Sequence, residues 1–351
     1  MEKILMKGNE ALAEGAIIAG CKAFFGYPIT PSSEIAEYMA RKFPKIDGVF
    51  VQAESELAAI NMVYGGAATG HRVMTASSGP GISLKQEGIS FIAEAELPCL
   101  IVNISRGGPG LGGIQPAQSD YFQATRGGGH GDYRLIVLAP SGVQEMMDFA
   151  IESFDLADRY RTPVMIMAEG TLGQMMEPIV VREPVTQFYD KPWATNGCQG
   201  RQPNIVNTLH LSADYLEERN HHLQRKYDDI VSREKRAESY LTEDADMVVV
   251  AFGLMARIAK RAVMEARKTG VKVGLIRPIT LWPFPDTEII KAAQTAKRFL
   301  SVEISMGQMI EDIRLAVAGR VPVDFFGRIG VTPNPEEIFR AIMQIAEREG
   351  M

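Results

Sequence analysis

Cysteine is scarce, basic residues are outnumbered, and no apolar run is long enough to span a bilayer. The three cysteines, Cys21, Cys99 and Cys198, lie far apart and form no CxxC pair. That spacing excludes a disulfide frame and a zinc or iron–sulfur site in this chain, and they read as reduced, mostly buried thiols. Lys and Arg total 37 against 43 Asp and Glu, a formal net charge of −6. No basic face is advertised, which argues against a nucleic-acid binder. Met1-Glu2-Lys3 leads straight into folded-looking sequence with no signal peptide, so the expectation is a cytoplasmic protein without a membrane partner. GxGxxG, GK[ST], a nucleophile–His–acid triad and a metal-ligand cluster are also missing, which excludes the usual dinucleotide and P-loop sites.

What is present is a globular composition, 46% hydrophobic and 23% charged with Gly 33 and Pro 19, over 351 residues. That length suggests two domains or more. Helix-like spacing over residues 8–20 ends in a glycine stop. Strands are expected at 23–25, 49–52, 72–76, 99–104, 134–139 and 163–168, with helices from 34, 53–68, 83–94 and 143–160 between them. The run Cys99 to Ile104 is continuously apolar, as in a parallel strand buried on both faces. Strands alternating with helices at this interval define a doubly wound α/β domain. The rhythm breaks over 171–244, where prolines punctuate an irregular half and a charge-dense run from Asp214 to Glu243 reads as a solvated helix. The pair His221-His222 on it lacks a third ligand and reads as an exposed face. Alternation resumes with strands at 247–252, 271–276, 299–303 and 323–326 and helices at 255–269, 287–296 (capped by Asp286), 307–317 and 335–347. The expected division is therefore 1–180, a connector 181–244, and a smaller α/β domain 245–351.

The stretch Gly26-Tyr27-Pro28-Ile29-Thr30-Pro31-Ser32-Ser33 sits where the first of these strands meets its helix. Pro28 and Pro31 fix φ on either side of Thr30, and Thr30 suits the cap of the helix that follows. In open α/β folds such a corner, at a strand's carboxyl end, is where ligands bind; an ordinary capped helix start is the plain alternative. Glu56, with Glu54 two residues earlier, starts the next helix, where a carboxylate either serves the helix dipole or faces a nitrogen heterocycle across a cleft. Ser77-Ser78-Gly79-Pro80-Gly81 offers hydroxyls and backbone N–H groups at a third strand end, as a ligand loop or a tight turn. Arg106 follows a fourth strand and precedes the glycine-rich run 107–113, a position from which an arginine can clamp a carboxylate. The loop continues through Gln118-Ser119-Asp120 to His130-Gly131-Asp132, with His130 a weaker acid–base candidate; loops of this length are usually functional or interfacial.

These residues together resemble a known family. Gly8-Asn9-Glu10-Ala11, Gly26-Tyr27-Pro28-Ile29-Thr30-Pro31-Ser32, Ser55-Glu56, Ser78-Gly79-Pro80-Gly81, Arg106, Gln118-Ser119-Asp120 and His130-Gly131-Asp132 are similar to the α subunit of the thiamine diphosphate-dependent 2-oxoacid:ferredoxin oxidoreductases. The resemblance covers essentially the whole chain. It implies a pyrimidine-binding domain over the first 180 residues and a transketolase C-terminal-like domain at the end. It also implies that Glu56, with Glu54 the competing assignment, hydrogen-bonds the aminopyrimidine N1′. Thr30 and Arg106 would bind the substrate's carboxylate and carbonyl, Tyr27 and Pro28 would line the pyrimidine pocket, and Ser78 would sit beside the cofactor. Mg²⁺, the diphosphate and the iron–sulfur clusters would be carried by partners, because a Gly-Asp-Gly motif with its distal asparagine is missing here along with a cysteine set. The implied partners are a thiamine diphosphate-binding β subunit, a ferredoxin-like subunit, a γ subunit, coenzyme A and ferredoxin. The reaction would be oxidative decarboxylation of a 2-oxoacid to its acyl-coenzyme A. The loop Gly110 to Gln118 resembles the 2-oxoisovalerate enzymes more than the 2-oxoglutarate ones, which remain the alternative.

Overall fold

The structure, a computed structural model, describes residues 3–351. Along the chain the strands are β1 (Ile4–Lys7), β2 (Ala23–Gly26), β3 (Val49–Gln52), β4 (Val73–Ser77), β5 (Leu100–Ser105), β6 (Ile136–Leu138) and β7 (Val164–Glu169). They continue with β8 (Met176–Ile179), β9 (Ala237–Tyr240), β10 (Met247–Val250), β11 (Val273–Pro278), β12 (Thr280–Trp282), β13 (Arg298–Glu303) and β14 (Val323–Gly327). The large sheet has the order β12-β6-β7-β5-β4-β2-β3 and is parallel apart from β12. A second sheet has the order β14-β13-β10-β11-β9, parallel apart from β9. Strands β1 and β8 pair separately, antiparallel.

Both large sheets are doubly wound as their composition demands. Every residue of β4, β5 and β7 is buried, so both faces need helices, and parallel strands joined by crossover helices supply them. In the first sheet the chain leaves β2 outward to β3 and then returns to the other side of β2 as β4. The strand order therefore reverses at the β2–β4 boundary, and the carboxyl ends of β3, β2, β4 and β5 stand side by side at that switch point.

Several local expectations are corrected. The helix following Thr30 begins at Ser33 with Ser32 as its cap residue, so Thr30 lies in the turn before it and does not cap it. The expected helix over 214–243 ends at Arg233, and Ala237–Tyr240 forms β9. Nor is that helix merely solvated. Leu223, Tyr227 and Ile230 pack into the first sheet's core, while Arg219, His222 and Lys226 surround Glu96. Burial opposes ionisation of Glu96, yet Lys226, Arg219 and His222 outweigh it and hold its carboxyl near 2. His222 is thus a hydrogen-bond partner of Glu96, and no group of side chains suited to a metal occurs among the described residues. Asp286 starts its helix without a side-chain cap bond. The short strand β12 was not expected, and it carries residues from the C-terminal third to the edge of the first sheet.

The second sheet has its own switch point, between β10 and β13, and a segment of the first unit fills it. Gln118 donates from Nε2 to the Phe252 carbonyl (3.0 Å), and its Oε1 accepts from Ile304 N (3.0 Å). Its backbone N donates to the Ile304 carbonyl at 2.7 Å. Gln118 also donates to Glu169, the last residue of β7, whose carboxylate further accepts from Leu254 N. Gly253 is needed here: its φ is +57°, and a Cβ would collide with Glu169 Oε1. Burial pushes the Glu169 carboxyl up to about 7 from its ordinary 4.5, against the bonds from Gln118 and Leu254. A carboxyl raised on folding stabilises most below its unfolded value, and that contribution disappears as pH climbs through about 7. Glu169→Gln is therefore expected to gain stability relative to wild type between pH 5 and pH 8, by about 3 kcal/mol at most. Urea denaturation at the two pH values measures this, and a pH-independent difference would refute it.

Candidate active site

Four strand ends supply the site. Glu56, after β3, begins the helix Glu56–Ala68 and is buried, its turn fixed by Ser55, whose hydroxyl accepts from Ala58 N at 3.2 Å. Glu54 is exposed, so of the two carboxylates only Glu56 turns inward. After β2, the Thr30 carbonyl accepts from Arg106 Nη1 at 2.9 Å, tying the first corner to the end of β5. Tyr27 and Pro28 are exposed on the same corner.

At the end of β4 the hydroxyls of Ser77 and Ser78 are buried with no hydrogen-bond partner among the described residues. Gly79 follows at φ +45° and caps the helix Pro80–Glu94. Gly81, in that helix's first turn, lies so close to the neighbouring side chains that a Cβ would collide with Ser77 Oγ and stand 2.7 Å from Glu56 Oε1. Any larger residue there would displace the carboxylate.

Arg106 is buried, its Nη2 donating to the Leu111 carbonyl at 3.2 Å and its Nε left without a partner. Beside it Asp120 accepts from Asn103 Nδ2 at 3.0 Å. Burial raises the Asp120 carboxyl, opposed by Asn103 and by the Arg106 charge. Above Arg106 opens a cleft of about 660 Å³, walled by the glycine-rich loop from Gly107 to Gly110, by Asp120, and by Met306, Gln308 and Ile329 of the second unit. Gln308 holds the two walls together, its amide accepting from Phe122 N and donating to the Ser119 carbonyl.

The expected residues Thr30, Glu56, Ser78 and Arg106 thus lie at adjacent strand ends, with Tyr27 and Pro28 exposed on the Thr30 corner. His130 does not join them. It is exposed, stands edge-on to Phe91, and lies 3.4 Å from Ser90 Oγ on the far half of the helix Pro80–Glu94. Sequence reasoning missed the contribution of Met306, Gln308 and Ile329, which no local signal marks. It also missed Lys85, fully buried behind Glu56.

A buried carboxylate, two hydroxyls without a partner among the described residues and a partly unpaired guanidinium stand together at one switch point of a doubly wound fold, the place where such folds bind ligands. The chain belongs to the pyruvate flavodoxin/ferredoxin oxidoreductase family: the family's thiamine diphosphate-binding domain matches residues 14–239, and the pyruvate:ferredoxin oxidoreductase core domain II matches residues 245–338. Ketoisovalerate oxidoreductase subunit VorB of Methanothermobacter marburgensis is 53% identical over 344 residues, 97% of each chain. VorB of Methanothermobacter thermautotrophicus is 55% identical over 93% of each. The 2-oxoglutarate synthase subunit KorA of the latter organism is 39% identical, covering 98% of this chain and 99% of its own. Among solved structures, the 2-oxoglutarate:ferredoxin oxidoreductase of Magnetococcus marinus, with 2-oxoglutarate, coenzyme A and succinyl-CoA bound, superimposes with a TM-score of 0.89 at 29% identity. The match covers 98% of this chain but 65% of that one, so this chain spans about two thirds of its length. A split-gene transketolase, at 12% identity and a TM-score of 0.58, shares the fold.

Proposed function

We propose that this chain is the α subunit of a thiamine diphosphate-dependent 2-oxoacid:ferredoxin oxidoreductase that acts on branched-chain 2-oxoacids, 2-oxoisovalerate (3-methyl-2-oxobutanoate) foremost. The observation that carries this reading is the near-full-length match to two ketoisovalerate oxidoreductase subunits, made by a chain whose strand ends gather Glu56, Thr30, Ser78 and Arg106. Residues 1–180 act as the pyrimidine-binding domain, 181–244 as the connector and 245–351 as the transketolase C-terminal-like domain.

Thiamine diphosphate, when bound, supplies the carbanion-stabilising chemistry that decarboxylation of a 2-oxoacid requires. The orphaned hydroxyls of Ser77 and Ser78 and the inward Glu56 fit its aminopyrimidine half. Glu56 would hydrogen-bond the pyrimidine N1′, and Tyr27, Pro28 and Ser78 would hold the ring. Arg106 takes the substrate carboxylate, with Thr30 positioned by the same guanidinium. The diphosphate, Mg²⁺ and the iron–sulfur clusters belong to the β and ferredoxin-like partners, so the chain is active only in a hetero-oligomer with β and γ subunits. Coenzyme A accepts the acyl group and ferredoxin the two electrons.

The cleft also favours an apolar substrate side chain. Arg106 is the one cation among its described lining residues, and Pro109, Met306 and Ile329 supply apolar wall. A second carboxylate would be desolvated there without a partner, at a cost of roughly a few kcal/mol. The chain should be co-expressed with its β partner and ferredoxin reduction assayed with 2-oxoisovalerate, 2-oxoglutarate and indolepyruvate. The expected kcat/KM for 2-oxoisovalerate exceeds that for 2-oxoglutarate by about tenfold or more, following that cost. Equal or reversed values would overturn the substrate assignment.

A further inference from the structure

Lys85 lies between the helices Glu56–Ala68 and Pro80–Glu94 and is fully buried. Its Nζ donates to the Glu56 backbone carbonyl at 3.3 Å. Two glycines bring the helices close enough to enclose it. Gly81, Lys85 and Gly88 stand four and three residues apart, on one face of their helix. A Cβ on Gly81 would be 2.7 Å from Glu56 Oε1, and one on Gly88 would be 2.6 Å from Ile60 Cγ2. The lysine therefore meets the turn that carries Glu56 where the two helices pack closely.

An ammonium has three protons to donate, and enclosing one is costly unless an opposite charge stands near. Burial lowers Lys85 to about 8, and Glu56, the charged group acting on it from the facing helix, opposes that fall.

We propose that Lys85 is a positioning residue for Glu56, its ammonium fixing the first turn of the helix Glu56–Ala68 and supplying the counter-charge against which the Glu56 carboxylate works. The proposal rests on the cofactor role assigned to Glu56, and its test separates the two. In the complex reconstituted with the partner subunit, lysine side chains are labelled with ¹³C at Cε and titrated by NMR. The Lys85 resonance is the one lost in Lys85→Met, or displaced in Lys85→Arg should the methionine variant fail to fold. Lys226, the other lysine that burial lowers to about 8, is assigned in the same way. Lys85 is expected to titrate near pH 8 in wild type, and Glu56→Gln to lower that midpoint by about one unit, a tenfold change in proton affinity. An unmoved midpoint overturns the proposal.

Lys85→Met, neutral and of similar length, is expected to lower kcat about tenfold or more while KM for the 2-oxoacid stays within about twofold, the pattern of a group that acts on chemistry and not on substrate binding. Unchanged kcat, or a loss confined to KM, overturns the positioning role. A shifted Lys85 midpoint in a Glu56→Gln complex that still turns over at the wild-type rate would sustain the charge coupling and overturn the role of Glu56.

Discussion

Glu56→Gln, in the chain assembled with its β partner, is expected to lower kcat by about two to four orders of magnitude while thiamine diphosphate remains bound. The substitution keeps the side chain's shape and one oxygen, so it leaves the packing against Gly81 intact and removes only the ionisable group that we propose serves the pyrimidine. Because Glu56 is buried on a turn whose cap Ser55 provides, no neighbouring carboxylate can substitute for it; Glu54 is exposed. Glu54→Gln is accordingly expected to retain activity within about twofold, as surface substitutions usually do. The measurement is steady-state ferredoxin reduction together with the cofactor content of the purified complex. Wild-type turnover in Glu56→Gln would falsify the assignment, and the reverse pattern between the two variants would transfer it to Glu54.

The second large effect is at Arg106. Arg106→Ala removes the cation of the cleft and two tethers, to the Thr30 and Leu111 carbonyls. A charge-assisted bond to the substrate carboxylate contributes about 1.5–3 kcal/mol, so its loss should lower kcat/KM for the 2-oxoacid roughly 10- to 10²-fold, chiefly through KM. Arg106→Lys keeps the charge but not the planar fork and should recover part of the loss. Substrate saturation curves for the three proteins decide the matter, since an unchanged KM in Arg106→Ala would remove Arg106 from carboxylate binding. The alanine variant should also loosen the glycine-rich loop, which would be seen as faster proteolysis between Gly107 and Gly113.

Much of this arrangement was legible because it follows from chain order. The continuous apolar run at 99–104 announces a strand buried on both faces, and the residue just past such a strand lands at a carboxyl end wherever its neighbours lie. That logic located Thr30, Glu56, Ser78 and Arg106 without any knowledge of strand order, and the family resemblance then supplied the cofactor and the partners. It could not supply what depends on contacts between distant segments. Arg233-Glu234-Lys235-Arg236 and the residues after it look like the continuation of a charged helix, yet Ala237–Tyr240 leave it to pair with β11. Thr280–Trp282 lie between Pro278 and Pro283 and have too few residues to show a period. A lone lysine in a helix reads as surface, and Lys85 is buried only because Gly81 and Gly88 admit the facing helix. Asp120 and Gln118 were visible as part of a motif, but the bond of Gln118 to Phe252 joins residues 134 positions apart.

The strand Thr280–Trp282 has a consequence for anyone who would divide the chain. Cutting it near residue 244 separates the two family domains on paper, but it strips the first sheet of the strand that covers β6. The released N-terminal fragment would present Ile136, Val137 and Leu138, an apolar strand with unpaired backbone groups, to solvent. Exposed edges of that kind recruit further chains, so such a fragment is more prone to self-association than the intact protein. The terminal third of the polypeptide thus serves as an intramolecular guard for a sheet to which, by sequence alone, it does not belong.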